Sequence, residues 1–279
     1  MSATNANPKT NYLMVKQFNQ VFGHAAPVEP QTDIFTTSPH IVTLRNSLIL
    51  EEINELKEAL EQEDVIEIID ALSDIQYVAY GLLVVYGIDG DKEFTKYLGN
   101  KYELLDCERS EDLASQSNFC QTSNFIKTLL FGNSFNVTPS TILDNFTDPS
   151  FFEIFNNYID NLVEAYSNLE QESRAGNFTN TISSTLEILY LTYVIGGLLG
   201  INLDKSIKMV HESNMSKICN SEEEAQQTVQ WYKDNESRYD SPCYRKSEFL
   251  DGFVVFNESS GKILKNVNYH AVDLSGFLQ

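Results

Sequence analysis

The chain has 279 residues, enough for one large domain or two small ones around a sizeable core. With 19 Lys and Arg against 40 Asp and Glu it carries a formal charge of −21, which excludes the basic footprint of a nucleic-acid or anionic-membrane binder. Hydrophobic residues at 42% and aromatics at 11% exclude a disordered chain. The acidic balance suits a cationic partner, or an anionic substrate that arrives with metal ions. Cys107, Cys120, Cys219 and Cys243 lie far apart with no CxxC or CxxH spacing, so they read as reduced thiols and not as a zinc site. The opening MSATNANPKTNY lacks the apolar core of a signal peptide, and the apolar run 189–203 is too short to span a bilayer. A cytoplasmic protein without a membrane partner is the expectation.

In chain order, 1–10 is a polar lead and 11–23 has the apolar spacing of a helix stopped by Gly23. A loop with three prolines follows, from Ala25 to Pro39. Helices are then predicted over 40–60, 65–86 and 91–105, the second of them apolar all round in its latter half and therefore buried. Residues 106–150 are mixed, with a weak helical signal at 125–131. Helical spacing returns over 151–171, 181–199, 204–217 and 222–232, where Trp231 is read as a helix anchor. GFVVF (252–256) and KIL (262–264) flank NESSG and predict a β-hairpin. The predicted class is all-α, a helical bundle with a small C-terminal β-hairpin.

The sequence also repeats itself. ALSDIQYVAYGLLVVYGIDGDK (71–92) aligns without a gap on STLEILYLTYVIGGLLGINLDK (184–205), an offset of 113. LEEINELKEALEQE (50–63) resembles IDNLVEAYSNLEQE (159–172) at an offset of 109, which implies a four-residue insertion in the second copy. The copies differ chemically. Glu51, Glu52 and Glu55 fall opposite Asp160, Asn161 and Glu164, and Glu67, Asp70 and Asp74 fall opposite Asn180, Ser183 and Glu187. Only the first copy keeps the full acidic set.

Those acids recur at helical spacings of three and four, so two adjacent antiparallel helices would aim two acidic clusters at each other. Crowded carboxylates repel unless cations fill the gap, and oxygen donors without Cys or His select Mg²⁺ or Mn²⁺. A solvated acidic face is the bland alternative. It is weakened by Ile66, Ile68, Ile69, Leu72 and Ile75, which enclose Glu67, Asp70 and Asp74. Di-iron and EF-hand sites lack their Glu-x-x-His and DxDxDG patterns here.

EExxE (51–55) followed by ExxDxxxD (67–74) resembles the MazG-like, all-α NTP pyrophosphatase superfamily. VHESNMSK (210–217) and GKILKNVNYHAVDL (261–274) are similar to the C-terminal end of phage- and bacterial-type members. FNQVFG (18–23) and RNSLILEE (45–52) are similar in spacing. The resemblance implies two tandem repeats forming a pseudo-dimer in one chain. Residues 11–105 would be the first repeat with the complete metal site, 106–150 an insertion or connector, and 151–279 an acid-degenerate second repeat with the tail. It also implies Mg²⁺- or Mn²⁺-dependent hydrolysis of a nucleoside triphosphate to a monophosphate and pyrophosphate.

By position, Glu52, Glu55, Glu67 and Asp70 are then the metal ligands. Glu51 is a further ligand or orients the water, and Asp74 is an outer ligand or helper. Asn214, Lys217, Lys262 and Lys265 are candidates for substrate phosphate or sugar, the last two being otherwise a solvated β edge. Phe18, Phe22 and His211 could touch substrate or simply belong to the core. A dUTP- or dCTP-specific relative and a non-catalytic interaction protein that retains the bundle are the alternatives. The chain is expected as a monomeric pseudo-dimer or a homodimer of pseudo-dimers.

Overall fold

The computed structural model describes residues 8–101 and 148–278, which are mostly helical with one two-stranded antiparallel hairpin near the C-terminus. The polar lead through residue 7, residues 102–105, Cys107, Cys120, most of the expected connector 106–150 and its helical signal at 125–131 lie outside the described residues.

Helix α1 (Asn11–Val21) is followed by a loop containing the short α2 (Ile34–Thr37), which apolar spacing did not predict. Next come α3 (Pro39–Glu61), α4 (Val65–Val85) and α5 (Gly90–Lys101). Helix α6 (Pro149–Arg174) starts inside the expected connector, because Asp148 caps it at Ser150 N (2.9 Å) and Pro149 sits in the first turn. Then follow α7 (Phe178–Leu198), α8 (Leu203–Met215) and α9 (Glu222–Asn235).

Helices α4 and α7 are long and apolar enough to cross a membrane, yet 83% of each apolar window is buried within the protein. They are core helices packed against each other. Helix α3 lies along α4 and α6 along α7, while α1 and α8 cover α4 from the other side.

The two helical hairpins, α3–α4 and α6–α7, share their turns in detail. Each ends its first helix in a left-handed residue, Glu63 (φ 55°) or Gly176 (φ 70°). Asp64 N–H then bonds Ala59 O (3.0 Å), as Asn177 N–H bonds Glu172 O (2.9 Å). The second helices close identically, through Gly87 and Gly200 at positive φ and Ile88 N–H or Ile201 N–H bonding back to Leu83 O or Gly196 O. Asp89 and Asn202 next cap Lys92 N and Lys205 N at 3.1 Å each. The shared Gly-Ile-(Asp/Asn)-x-Asp-Lys is therefore a helix stop followed by a helix start.

These equal turns carry the offset of 113 through both helices of each hairpin, and no four-residue insertion separates them. Glu51, Glu52 and Glu55 consequently stand opposite Glu164, Ala165 and Asn168, one helical turn from the pairing read in the sequence.

The β-hairpin differs from expectation. Strand β1 (Pro242–Lys246) pairs with β2 (Phe253–Asn257), and the 262–264 segment adds a single bridge, Ile263 to Phe256. The NESSG turn is real, but the chain leaves the sheet after two backbone hydrogen bonds. Strand β1 was missed because Pro-Cys-Tyr-Arg-Lys carries no run of apolar residues. Trp231 is 47% exposed, and Val229 and Tyr232 on the opposite face anchor α9 instead.

Glu63 holds a conformation that costs an ordinary residue about 1 kcal/mol or more, where the matching turn has Gly176. Glu63→Gly should therefore stabilise the protein by about 0.5–1 kcal/mol, read as a higher urea midpoint at unchanged m-value. A lower midpoint would show that the Glu63 side chain contributes more than its backbone costs.

Candidate active site at the α3–α4 acidic cleft

Helix periodicity places Glu51, Glu52 and Glu55 on α3 towards Glu67, Asp70 and Asp74 on the antiparallel α4. Glu52, Asp70 and Asp74 are partly buried, and Glu51, Glu55 and Glu67 are exposed at the rim. Their charges meet across the gap. Burial, then the charges of Asp74, Glu55, Glu51 and Asp70, push the Glu52 carboxyl up to about 9. Asp74 rises to about 7 through burial and Asp70, and Asp70 rises through burial, Glu67 and Glu55.

Glu52 Oε2 is buried without a hydrogen-bond partner, an arrangement that a cation or a proton must relieve. The donors are all oxygens, which suits Mg²⁺ or Mn²⁺. Among the described residues no three such side chains are gathered into a closed ligand set.

The opposite wall is cationic. Helix α8 docks on α4 through Ser73 and Ser206, whose hydroxyls are 2.6 Å apart, and through Tyr77 Oη and His211 Nδ1 at 3.1 Å. The second nitrogen of His211 meets Gln17 at 3.1 Å, so this histidine is a buried strut between α1, α4 and α8. The turn after α8 presents Lys217, whose Nζ donates to Asn214 Oδ1 (2.6 Å) and lies 5.8 Å from the Phe18 ring centre. Burial lowers Lys217 to about 8; Asp74 opposes that shift, while Lys265 and Lys262 add to it.

Asn266 Nδ2 donates to Ser216 O and Ile218 O, and Ser213 Oγ meets Tyr269 Oη (2.9 Å). These bonds tie the two tail motifs together and bring exposed Lys262 and Lys265 into the field of Lys217. Glu51, Glu52, Glu55, Glu67, Asp70 and Asp74 thus lie within one another's fields, Asp74 also feels Lys217, and Lys217 feels Lys262 and Lys265. Phe22 is fully buried. Phe18 remains partly open between Tyr77 (5.8 Å between ring centres) and His24 (6.0 Å). Sequence reasoning passed over Tyr77, His24 and Arg45. Arg45 had a usable signal, a lone cation seven residues before Glu52.

The second hairpin is chemically different. Glu187, opposite Asp74 in the register, pairs with Lys101 Nζ at 2.9 Å and accepts a hydrogen bond from Tyr97 Oη. Lys101 also lies 4.1 Å over the Tyr190 ring. Asp160 and Glu164 are exposed on α6, and Asn180 bonds Glu172 (3.2 Å). A side-chain ammonium here neutralises the surviving acid.

Because Glu52 titrates higher when folded, its contribution to stability is complete below pH 4.5 and is lost as pH rises towards 9. The metal-free protein should therefore lose stability across that range. Glu52→Gln should flatten the loss and raise Tm at pH 8 by at least about 3 °C, in melts with EDTA at pH 5 and pH 8. An unchanged or lower Tm at pH 8 would show that the cleft does not strain this carboxyl.

The sequence profile of phosphoribosyl-ATP pyrophosphohydrolase matches residues 15–97, which span α1 to α5 and include every acid of the cleft. The chain is also 30% identical over 278 residues to the uncharacterized protein L479 of Acanthamoeba polyphaga mimivirus, covering 99% of this chain and 98% of that one. No solved structure matches the chain. Residues 15–97, which hold the acidic hairpin, thus carry a domain of the phosphoribosyl-ATP pyrophosphohydrolase family, within the MazG-like all-α NTP pyrophosphatase superfamily.

Proposed function

We propose that the protein hydrolyses a nucleoside or deoxynucleoside triphosphate between the α and β phosphates, in clearance of the nucleotide pool. One water is consumed, and a nucleoside monophosphate and pyrophosphate leave. The observation that carries this reading is the polarised cleft, with buried Glu52 and Asp74 on one wall and Lys217 on the other.

Glu52, Glu55, Glu67 and Asp70 would hold divalent cations, which when bound neutralise phosphate oxygens and make water a better nucleophile. Lys217, steadied by Asn214, donates to a phosphate oxygen, and Lys262 and Lys265 extend that positive wall towards the leaving pyrophosphate. Asp74 and Glu51 orient the attacking water. Asp74, titrating near 7, is the better placed to take up its proton near neutral pH.

The α6–α7 hairpin is the relic of a duplicated unit. Its position at Asp74 is answered by Lys101, and those at Glu52 and Asp70 hold Ala165 and Ser183. On this reading each chain carries one site, as a pseudo-dimer alone or as a homodimer of pseudo-dimers.

Glu55→Gln and Asp70→Asn should each lower turnover at least about 100-fold at saturating Mg²⁺ with folding intact, scored as pyrophosphate released. Asp160→Asn with Glu164→Gln should stay within about threefold of the parent. Equal losses from both sets would give the chain two working sites. Release of orthophosphate instead would place it in another reaction class. Lys217→Met should lower kcat/KM at least about tenfold while Mn²⁺ affinity in the absence of nucleotide holds; an unchanged kcat/KM would remove it from the site.

A further inference from the structure

Arg45 lies on α3 seven residues before Glu52, and Gly81 lies on α4 seven residues after Asp74. At a rise of 1.5 Å per residue, the two antiparallel helices carry Arg45 and Gly81 in one layer, about 10 Å along from the carboxylates. The two positions touch: a β-carbon at Gly81 would stand 2.9 Å from Arg45 Nη1, so the absent side chain leaves the guanidinium its place.

Tyr77 sits between the layers, and Phe18 bridges it to His24. Arg45 is close enough to His24 to help burial lower that imidazole to about 4. One turn further along the same helices, at Ile41 and Val85, is a separate open pocket of about 340 Å³ that Ala25 and Ala26 also line.

Nothing in the fold accounts for a cation here. Arg45 Nε is buried without a hydrogen-bond partner, and burial alone lowers its pKa to about 10, with no carboxylate opposing it. A half-buried guanidinium whose Nε is desolvated and unpaired costs stability, and it has donors only, so its complement is a ligand acceptor. The distance from the acids to Arg45 is comparable to a nucleotide laid end to end, with phosphates at the metals, sugar beside Phe18 and Tyr77, and base at the guanidinium.

We propose that Arg45 donates to a carbonyl oxygen of the nucleobase, so that the enzyme selects keto bases (uracil, thymine, cytosine or guanine) over adenine, which has no carbonyl. The proposal rests on the nucleotide reading above and adds the base.

The test is calorimetric titration of the α,β-methylene analogues of UTP, CTP, GTP and ATP with Mg²⁺ into the parent protein, Arg45→Lys and Arg45→Met. The parent should bind at least one keto analogue at least about tenfold tighter than the ATP analogue, the discrimination a bidentate arginine contact supplies. Arg45→Met should lose at least about tenfold for that analogue and less than about threefold for the ATP analogue, with Arg45→Lys between, since it keeps the charge without the fork.

The ligand-free Tm of Arg45→Met should equal or exceed the parent's, because an unpaired buried charge is removed. A structural arginine would give a lower Tm and equal losses for all four analogues. That result, a parent without base preference, or a parent that binds none of them overturns the proposal. Pyrophosphate release from the four parent triphosphates is measured alongside. Base-selective binding without pyrophosphate would overturn the reaction alone, and pyrophosphate release without base selectivity would overturn the arginine contact alone.

Discussion

Helix α4 must be covered on nearly every side. From Ile75 to Val85 it is buried around nearly its whole circumference, and helices α1, α3, α7 and α8 all pack on it. Only its first turns, with Glu67, Asp70 and Asp74, escape that cover. The acidic cleft exists where the bundle around α4 opens, and the elements that line it are those recruited to bury the helix. Cleft geometry and core packing share one scaffold, so the i, i+3 and i, i+4 spacings that bury Leu72 and Ile75 also aim Asp70 and Asp74.

The price of that arrangement is electrostatic. Buried carboxylates at this spacing resist ionisation together, and in a chain of net charge −21 there are few cations to offset them. The fold concentrates three lysines from the C-terminal segment opposite the acids and leaves the gap between them unbridged by direct ion pairs. At Glu187 the opposite solution is found, since Lys101 closes directly on the carboxylate. A gap held open between opposite charges can admit a metal-bound polyphosphate, whereas a closed pair at 2.9 Å leaves the carboxylate no free face for one.

Helix α8 and the tail explain why the cleft needs both halves of the chain. The acids come from α3 and α4, but Lys217 follows a helix that continues from α7 and crosses over to α4, where Ser206 and His211 fasten it to Ser73 and Tyr77. Near the centre of the bundle, Tyr193 Oη donates to Asp204 (2.7 Å), and Asn11 Nδ2 donates to both. This buried polar knot fixes α1 and α8 to α7. Asn11 Nδ2, Tyr193 Oη and Asp204 Oδ1 answer one another, while Asn11 Oδ1 is left without a partner, and the bonds specify one docking arrangement where apolar contact alone would allow several.

The sequence by itself determined the helices and most of their ends, because apolar periodicity and capping are local: Asp64, Asn177 and Asn202 announce their helices whatever surrounds them. It determined the acid pair of helices too, since the spacing of Glu52, Glu55, Asp70 and Asp74 is itself the geometry. It misplaced strand β1, whose partner is a tertiary matter, and it paired α3 with α6 one turn out, because the LEQE likeness competed with a turn whose left-handed residue is Glu63 in one copy and Gly176 in the other. Only the tertiary structure decided that Lys217 lies in the field of Asp74, that Lys101 closes on Glu187, and that Arg45 lies half-buried against Gly81 with its Nε unpaired. Those facts depend on which helix crosses which. Charge, burial and distance belong to neighbours in space, and neighbours brought together from opposite ends of a chain leave no periodic mark along it.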